Sequence, residues 1–216
     1  MILSPGRKFV FIHIPKTGGT ALSLALEARA MKDDMMLGDT PKALNRRRRL
    51  RDATARGRLW KHSTLADIEG LLPEDELRSL FAFTLVRNPF DRAVSYYHWL
   101  RVQAFDHPAV HLSKALGFRE FILSSDTLRA FETHPPRSYM RHSDGREHCD
   151  AYIRIEHFEQ DAEPLFDHLG FRLNLERTNT SERDIDWRDY YDPQTRAAVA
   201  ASCAQEIDQF EYSFNH

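Results

Sequence analysis

The chain has 216 residues, which is enough for one domain with a sizeable core and too few for two ordinary ones. Hydrophobic residues make up 42% of the sequence, so a globally disordered protein is excluded. The 30 Lys and Arg residues nearly balance the 32 Asp and Glu residues, which argues against a basic protein that wraps nucleic acid. We therefore expect a single domain over residues 1–216 with no nucleic-acid partner.

Apolar runs and cysteines narrow the class further. The longest apolar run near the start, residues 9–14, is far shorter than a membrane span. It is not followed by the cleavage site of a signal peptide, so we expect a cytoplasmic protein without a membrane span. Cys149 and Cys203 are too few for a disulfide framework and lack metal-ligand spacing. We expect no metal site.

The first predicted elements are a strand, a turn and a helix. Residues 9–14 are aromatic and β-branched, as in a buried parallel strand, and Pro15 ends the run. After a Gly-Gly pair, residues 20–30 are rich in the helix formers Ala, Leu and Glu. Residues 31–58 follow no apolar period and contain four consecutive arginines. They are predicted to form a mobile basic loop or lid with room for one short helix.

Strands and helices alternate along the rest of the chain. Thr64 is the expected N-cap of a helix to residue 72, with Asp67 three residues on. The remaining predicted elements are strands over residues 81–86 and 151–155, helices over residues 89–103, 159–169 and 193–209, and one or two helices within residues 106–141. Such alternation predicts an α/β fold, a P-loop-like parallel sheet with helices on both faces.

The turn between the first strand and helix, residues 13–20, has the composition of a phosphate-binding loop. A Gly-Gly turn that begins a helix can point several backbone N–H groups at one anion. Lysine adds a positive charge, and two threonines add hydroxyl donors. The candidate anion ligands are Lys16, Thr17, Gly18, Gly19 and Thr20. The alternative is a tight turn whose glycines serve only backbone geometry and whose lysine is solvated.

This turn differs from the phosphate loop of ATPases and kinases. A Walker A loop places its lysine after the second glycine, whereas Lys16 precedes both glycines. Neither early strand ends in the aspartate that holds Mg²⁺ in such enzymes, and Glu156 alone is weak support for a metal. The sequence therefore predicts an anion held without metal.

A second basic group follows the second predicted strand. Arg87 lies at the carboxyl end of that strand, where open α/β sheets bind ligands, and can hold a phosphate bidentately. Ser95 lies two turns into the next helix and offers a hydroxyl. The alternative is an Arg87 paired with Asp91 and a Ser95 of no special role. Two cationic strand ends suggest a ligand with two separated anionic groups.

Residues 13–20 and 84–95 together resemble the paired signatures of sulfotransferases that use 3'-phosphoadenosine 5'-phosphosulfate. The resemblance implies that the turn holds the 5'-phosphosulfate and that Arg87 and Ser95 hold the 3'-phosphate, with adenosine 3',5'-bisphosphate (PAP) as product and no metal. Residues 61–63, 152–156 and 190–212 are similar to Golgi-type carbohydrate sulfotransferases and their bacterial relatives. One departure is Glu211, where relatives often have glycine.

What the resemblance implies is sulfuryl transfer to a hydroxyl group, in line with the leaving phosphate, on a carbohydrate acceptor. Lys16 would stabilise the leaving charge. Histidine is the usual base for such a proton, and His62 lies in a segment similar to the family's acceptor-side motif, whereas His13 is expected to be a packed residue. The alternative for His62 is a solvated residue before a helix cap.

Several alternatives stay open at this stage. The basic run over residues 46–58 is either a solvated surface or a capture site for an anionic saccharide. The chain as a whole could instead be a small-molecule kinase of the P-loop type, or a module that binds a nucleotide or sulfated glycan without turnover.

Overall fold

The structure, a computed structural model, describes residues 1–175 and 186–215. The described residues form two compact units. The first unit comprises those within Met1–Val86 and Pro136–Thr178, and the second those within Arg87–Pro135 and Asn179–His216. Whether the two units act as the single domain expected from the chain length stays a prediction.

A mixed sheet forms the centre of the first unit. Its strands in the described residues are β1 (Ile2–Ser4), β2 (Phe9–Ile12), β3 (Met35–Met36), β4 (Phe81–Val86) and β5 (Ala151–Arg154). Their order across the sheet is β3-β1-β2-β4-β5. The strands β2, β4 and β5 are parallel, with Phe9 opposite Phe81 and Phe83 opposite Ala151. The predicted α/β fold with a parallel centre is confirmed.

The strands β1 and β3 depart from the expected all-parallel sheet, because both pair antiparallel. The turn that joins β1 to β2 is tight, with the Lys8 N–H donating to the Pro5 carbonyl at 3.2 Å. A connection this short allows only an antiparallel neighbour, since a parallel crossover needs a dozen residues or more. Strands of three and two residues are too short to show a hydrophobic period.

Helices surround the sheet in the first unit and make up most of the second. In chain order they are α1 (Gly19–Glu27), α2 (Pro41–Arg46), α3 (Leu65–Ile68), α4 (Glu74–Arg78), α5 (Pro89–Arg101), α6 (Pro108–Ala115), α7 (Phe118–Leu123), α8 (Ser125–Thr133), α9 (Pro136–Tyr139), α10 (Phe158–Asp161), α11 (Glu163–Leu169), α12 (Pro193–Ser202) and α13 (Ala204–Gln209). Short 3-10 helices lie at Arg47–Leu50, Ile155–His157 and Trp187–Tyr190.

The two faces of the sheet enter different hydrophobic cores, because successive residues of a strand point to opposite sides. On β2, Phe9 and Phe11 enter one core, which α1 and α11 cover. Val10 and Ile12 enter the other, which α3 and α4 cover. Helices on both faces are therefore confirmed.

Local capping signals are confirmed more closely than helix ends. Thr64 and Asp67 form the expected capping box at the start of α3. However, α3 ends at Ile68 rather than near residue 72, because Gly70 has a left-handed backbone with φ +98°. The helix predicted over residues 193–209 is divided at Cys203 into α12 and α13.

The basic segment is helical over most of its arginines. It contains β3, α2 and the 3-10 helix Arg47–Leu50, where the sequence predicted a loop with at most one short helix. Ala43 and Leu50 are the buried apolar residues of these two helices, which are too few to produce an apolar period. The Arg46 guanidinium donates to the Met31 carbonyl at 2.6 Å and so ties the segment to its start. Movement of the segment as a lid stays a prediction.

The second unit is a helical cluster around an aromatic core. Its buried residues include Phe90 and Tyr97 of α5, Phe121 of α7 and Val199 of α12. Within this core Arg92 pairs with Glu206 at 3.1 Å, with side chains only 10% and 3% exposed. The unit is thus built on α5, the helix that directly follows β4 along the chain.

Candidate active site

The turn after β2 adopts a backbone that suits an anion. Lys16 and Gly18 both have positive φ, +67° and +86°. For a lysine this conformation costs roughly 1–2 kcal/mol, and such strain concentrates at ligand sites. Left-handed residues before a helix turn their N–H groups towards one concave point. The first turn of α1, which is fully described, contains no acidic residue that would compete for those groups.

Close packing also explains why both positions in the turn are glycine. A Cβ on Gly18 would overlap the Ile155 side chain, and a Cβ on Gly19 would overlap the ring of His13. The backbone therefore packs closely against these two side chains. These contacts account for both glycines without a ligand, which leaves Lys16 and the backbone N–H groups as the features that indicate an anion site.

The two threonines of the turn differ in what they can offer. The Thr17 hydroxyl donates to the Ile14 carbonyl at 2.9 Å, and the residue is 1% exposed. Its proton therefore closes the turn, and a role of Thr17 in anion binding stays a prediction. Thr20 lies at the second position of α1 and is partly exposed.

His62 has a defined orientation and tautomer. Its Nδ1 lies 2.6 Å from the backbone carbonyl oxygen of His13. A carbonyl can only accept, so Nδ1 carries the proton and donates it. In the neutral ring this leaves the lone pair on Nε2, the atom that a base needs. The ring also contacts those of His13 and Trp60, with centroids 4.8 and 5.1 Å away.

The surroundings keep His62 neutral. Burial lowers its pKa to about 4, although the hydrogen bond to His13 raises it, and the nearby charge of Lys61 lowers it further. Lys61 itself pairs with Asp39 at 2.8 Å. The alternative of a solvated His62 is therefore wrong, because the ring is partly buried, hydrogen-bonded and uncharged at neutral pH.

His13 joins the anion turn to His62. Its ring packs on Gly19 and stacks on Phe11 with centroids 5.8 Å apart, while its carbonyl accepts from His62. The residue is 4% exposed, and burial holds its pKa well below the usual value. The expectation of a packed residue beside the loop is confirmed. His13 thus contacts both the turn, through Gly19, and His62.

The second basic group lies in the second unit, at the start of α5. The Nε and Nη2 atoms of Arg87 donate to one oxygen of Asp91, at 2.8 and 2.6 Å. The ion pair that the sequence offered as the alternative is therefore present, and it fixes the direction of the guanidinium. Ser95, 8% exposed, lies two turns along the same helix.

One neighbour of His62 was not predicted from the sequence. Trp60, two residues before His62, contacts its ring, and the spacing alone carries no signal for such a contact.

The described part of the structure gives little support for a metal site. Glu156, the carboxylate that follows β5, is exposed on the 3-10 helix Ile155–His157. Among the described residues, no group of three or more His, Cys, Asp or Glu side chains has a metal-binding arrangement. Over the same residues, no helix is long and apolar enough to cross a membrane.

Known proteins provide a comparison for this geometry. Residues 1–209 match the profile of a family described as the sulfotransferase family. A solved structure of mouse sulfotransferase SULT7A1 complexed with PAP is similar to 97% of this chain and 87% of that one, with 15% sequence identity and a TM-score of 0.48. No curated protein sequence matches the chain significantly.

Proposed function

This chain belongs to the sulfotransferase family, and from that premise we propose that it transfers a sulfuryl group from 3'-phosphoadenosine 5'-phosphosulfate to a hydroxyl group of a carbohydrate, with His62 as the general base. The family match confirms the predicted enzyme class and counts against the kinase alternative. The observation that carries the finer proposal is the tautomer of His62. A proton on Nδ1 leaves Nε2 available to accept the hydroxyl proton of an acceptor.

The residues of the turn fit the charged end of this donor. Left-handed Lys16 and Gly18, followed directly by the first turn of α1, present backbone N–H groups and one ammonium group to an anion. The donor supplies the sulfuryl group and leaves as PAP. Lys16 would stabilise the negative charge that develops on the bridging oxygen as the sulfur–oxygen bond breaks.

In an in-line transfer, His62 would act on the attacking acceptor oxygen and Lys16 on the leaving phosphate oxygen, on opposite sides of the sulfur atom. Nε2 of His62 removes the proton of the acceptor hydroxyl while the oxygen forms its bond to sulfur. The hydrogen bond from Nδ1 to the His13 carbonyl holds the His62 ring in place. The same carbonyl stabilises the positive charge that the His62 ring gains with the proton. A module that only binds nucleotide would need neither this lone pair nor this orientation.

Arg87 and Ser95 are proposed to hold the 3'-phosphate. Asp91 keeps the guanidinium of Arg87 in a fixed direction, which lowers the entropy lost when a phosphate binds.

The test is transfer of labelled sulfate from 3'-phosphoadenosine 5'-phosphosulfate to a panel of saccharides and non-carbohydrate alcohols. We expect label on a saccharide hydroxyl, with PAP formed in equal amount. Label on a non-carbohydrate alcohol alone would refute the carbohydrate acceptor. Tight PAP binding without transfer to any acceptor would support the binding module instead. A cytoplasmic location stays a prediction that this assay does not address.

A further inference from the structure

The segment that precedes His62 is held firmly, although much of its surface is exposed. The N–H groups of Arg56 and Gly57 donate to the carbonyls of Glu69 and Asp67, at 2.8 and 3.0 Å. Ser63 is fully buried, and its hydroxyl oxygen accepts from the Trp60 N–H at 2.9 Å. Backbone bonds at one end and a buried hydroxyl at the other therefore fix the place of the side chains between them.

Trp60 is the exposed side chain that this segment places beside His62. The two rings are 5.1 Å apart and nearly perpendicular, at 83°. The guanidinium carbon of Arg58 lies 5.1 Å from the centre of the Trp60 ring. With Arg58 in that position, 42% of Trp60 remains accessible. A large aromatic surface is thus exposed to solvent next to the proposed base, although contact between an apolar ring and water is unfavourable.

The chemistry of this pair points to one class of ligand. An indole surface packs well against the C–H groups on the face of a pyranose ring, because both are apolar and rigid. The Arg58 guanidinium, which lies over the same ring, attracts a carboxylate or sulfate. We propose that Trp60 and Arg58 form an acceptor subsite for a saccharide with an anionic substituent, which presents a neighbouring hydroxyl to His62. This assignment rests on the proposed sulfuryl transfer and names its acceptor class and two further binding residues.

Other arginines of the basic run can show whether an effect is specific to Arg58 or follows from loss of any positive charge in this segment. Arg47 and Arg48 are also exposed, but they lie on the 3-10 helix Arg47–Leu50. The proposal attributes anion recognition to Arg58, since this guanidinium lies on the ring that contacts the base. Substitution of Arg47 should therefore have little effect on the acceptor.

The test uses the full chain with three small acceptors: methyl β-D-glucuronide, methyl β-D-glucoside and sorbitol, which has hydroxyls but no ring. Trp60→Ala should raise KM for both ring compounds about tenfold and leave KM for sorbitol within about twofold. Arg58→Ala should raise KM for the glucuronide alone, by about fivefold. The matched controls are Arg47→Ala and Trp99→Ala, which removes a partly exposed tryptophan of α5. PAP binding should be unchanged in all four variants.

A binding measurement separates this proposal from the proposed function. In the presence of PAP, the glucuronide should change the indole fluorescence of the native protein, and this change should be lost in Trp60→Phe. That result supports the subsite even if no acceptor receives sulfate, in which case only the proposed function fails. A fluorescence change that survives in Trp60→Phe, or no change in the native protein, overturns the subsite. Equal KM effects of Arg47→Ala and Arg58→Ala would overturn the role of Arg58.

Discussion

The pH dependence of the rate below pH 7 tests whether burial lowers the pKa of His62. A histidine with the ordinary pKa of 6.5 is mostly neutral at pH 7 and about 3% neutral at pH 5, so a rate that needs its neutral form falls about 25-fold. The pKa of His62 is lowered to about 4, mainly by burial. At pH 5 the ring is then still about 90% neutral, and the rate should fall by only about a tenth.

The assay is kcat/KM between pH 4 and 8, because this parameter reports the free enzyme. The residual activity of His62→Ala is measured in parallel, and the ratio of the two profiles removes the titration of the donor's own phosphate. We expect a ratio that is nearly flat down to pH 5 and falls near pH 4. A ratio that falls through pH 6.5 would refute the buried, neutral His62 described above.

The same pKa has a consequence for stability. Unfolded His62 titrates near 6.5 and folded His62 near 4, so between these values the unfolded chain binds the extra proton. The free energy of unfolding should therefore decrease as pH falls from 6.5 to 4, by about 3 kcal/mol from this residue. Denaturant unfolding of the native protein and of His62→Gln should show a smaller acid loss in the variant.

Two further predictions concern the donor. Lys16→Ala should lower kcat by about two to three decades in the labelled-sulfate assay, because Lys16 acts on charge present mainly in the transition state; a raised KM with normal kcat would make it a binding residue only. Arg87→Ala should weaken PAP much more than adenosine 5'-phosphate in calorimetric titrations, whereas an equal loss for both ligands would refute a role of Arg87 at the 3'-phosphate. Activity should also survive EDTA, since no step above uses a metal.

Local features of the sequence predicted the fold best. Two examples are the capping box of Thr64 and Asp67 and the turn at Gly18. Each depends on residues only a few positions apart, so it can be recognised in a single sequence. The strand β1 was not predicted, since three residues show no period. The helical arginine run was missed for a related reason, because Leu50 is the buried residue of its 3-10 helix.

The sequence named candidate site residues but could not show their contacts. The composition of the turn pointed to Lys16 and the family resemblance to His62, and their roles stay predictions. The bond between His62 and His13 joins residues 49 positions apart, and it decides both the tautomer and the orientation of the base. Trp60 was missed because its contact with His62 depends on a turn that Ser63 fixes from within the core. Burial, which sets the pKa of His62, likewise exists only in the folded chain.

The most direct test of the central claim is sulfuryl transfer by His62→Ala, measured beside its affinity for PAP. If His62 is the general base, PAP should bind within about twofold of the native affinity while transfer falls by about two to four decades. The conservative variant His62→Asn, which keeps a polar group but cannot accept the proton in the same way, should be similarly inactive. Transfer near the native rate in either variant would contradict the account and make Glu156 the next candidate for the base.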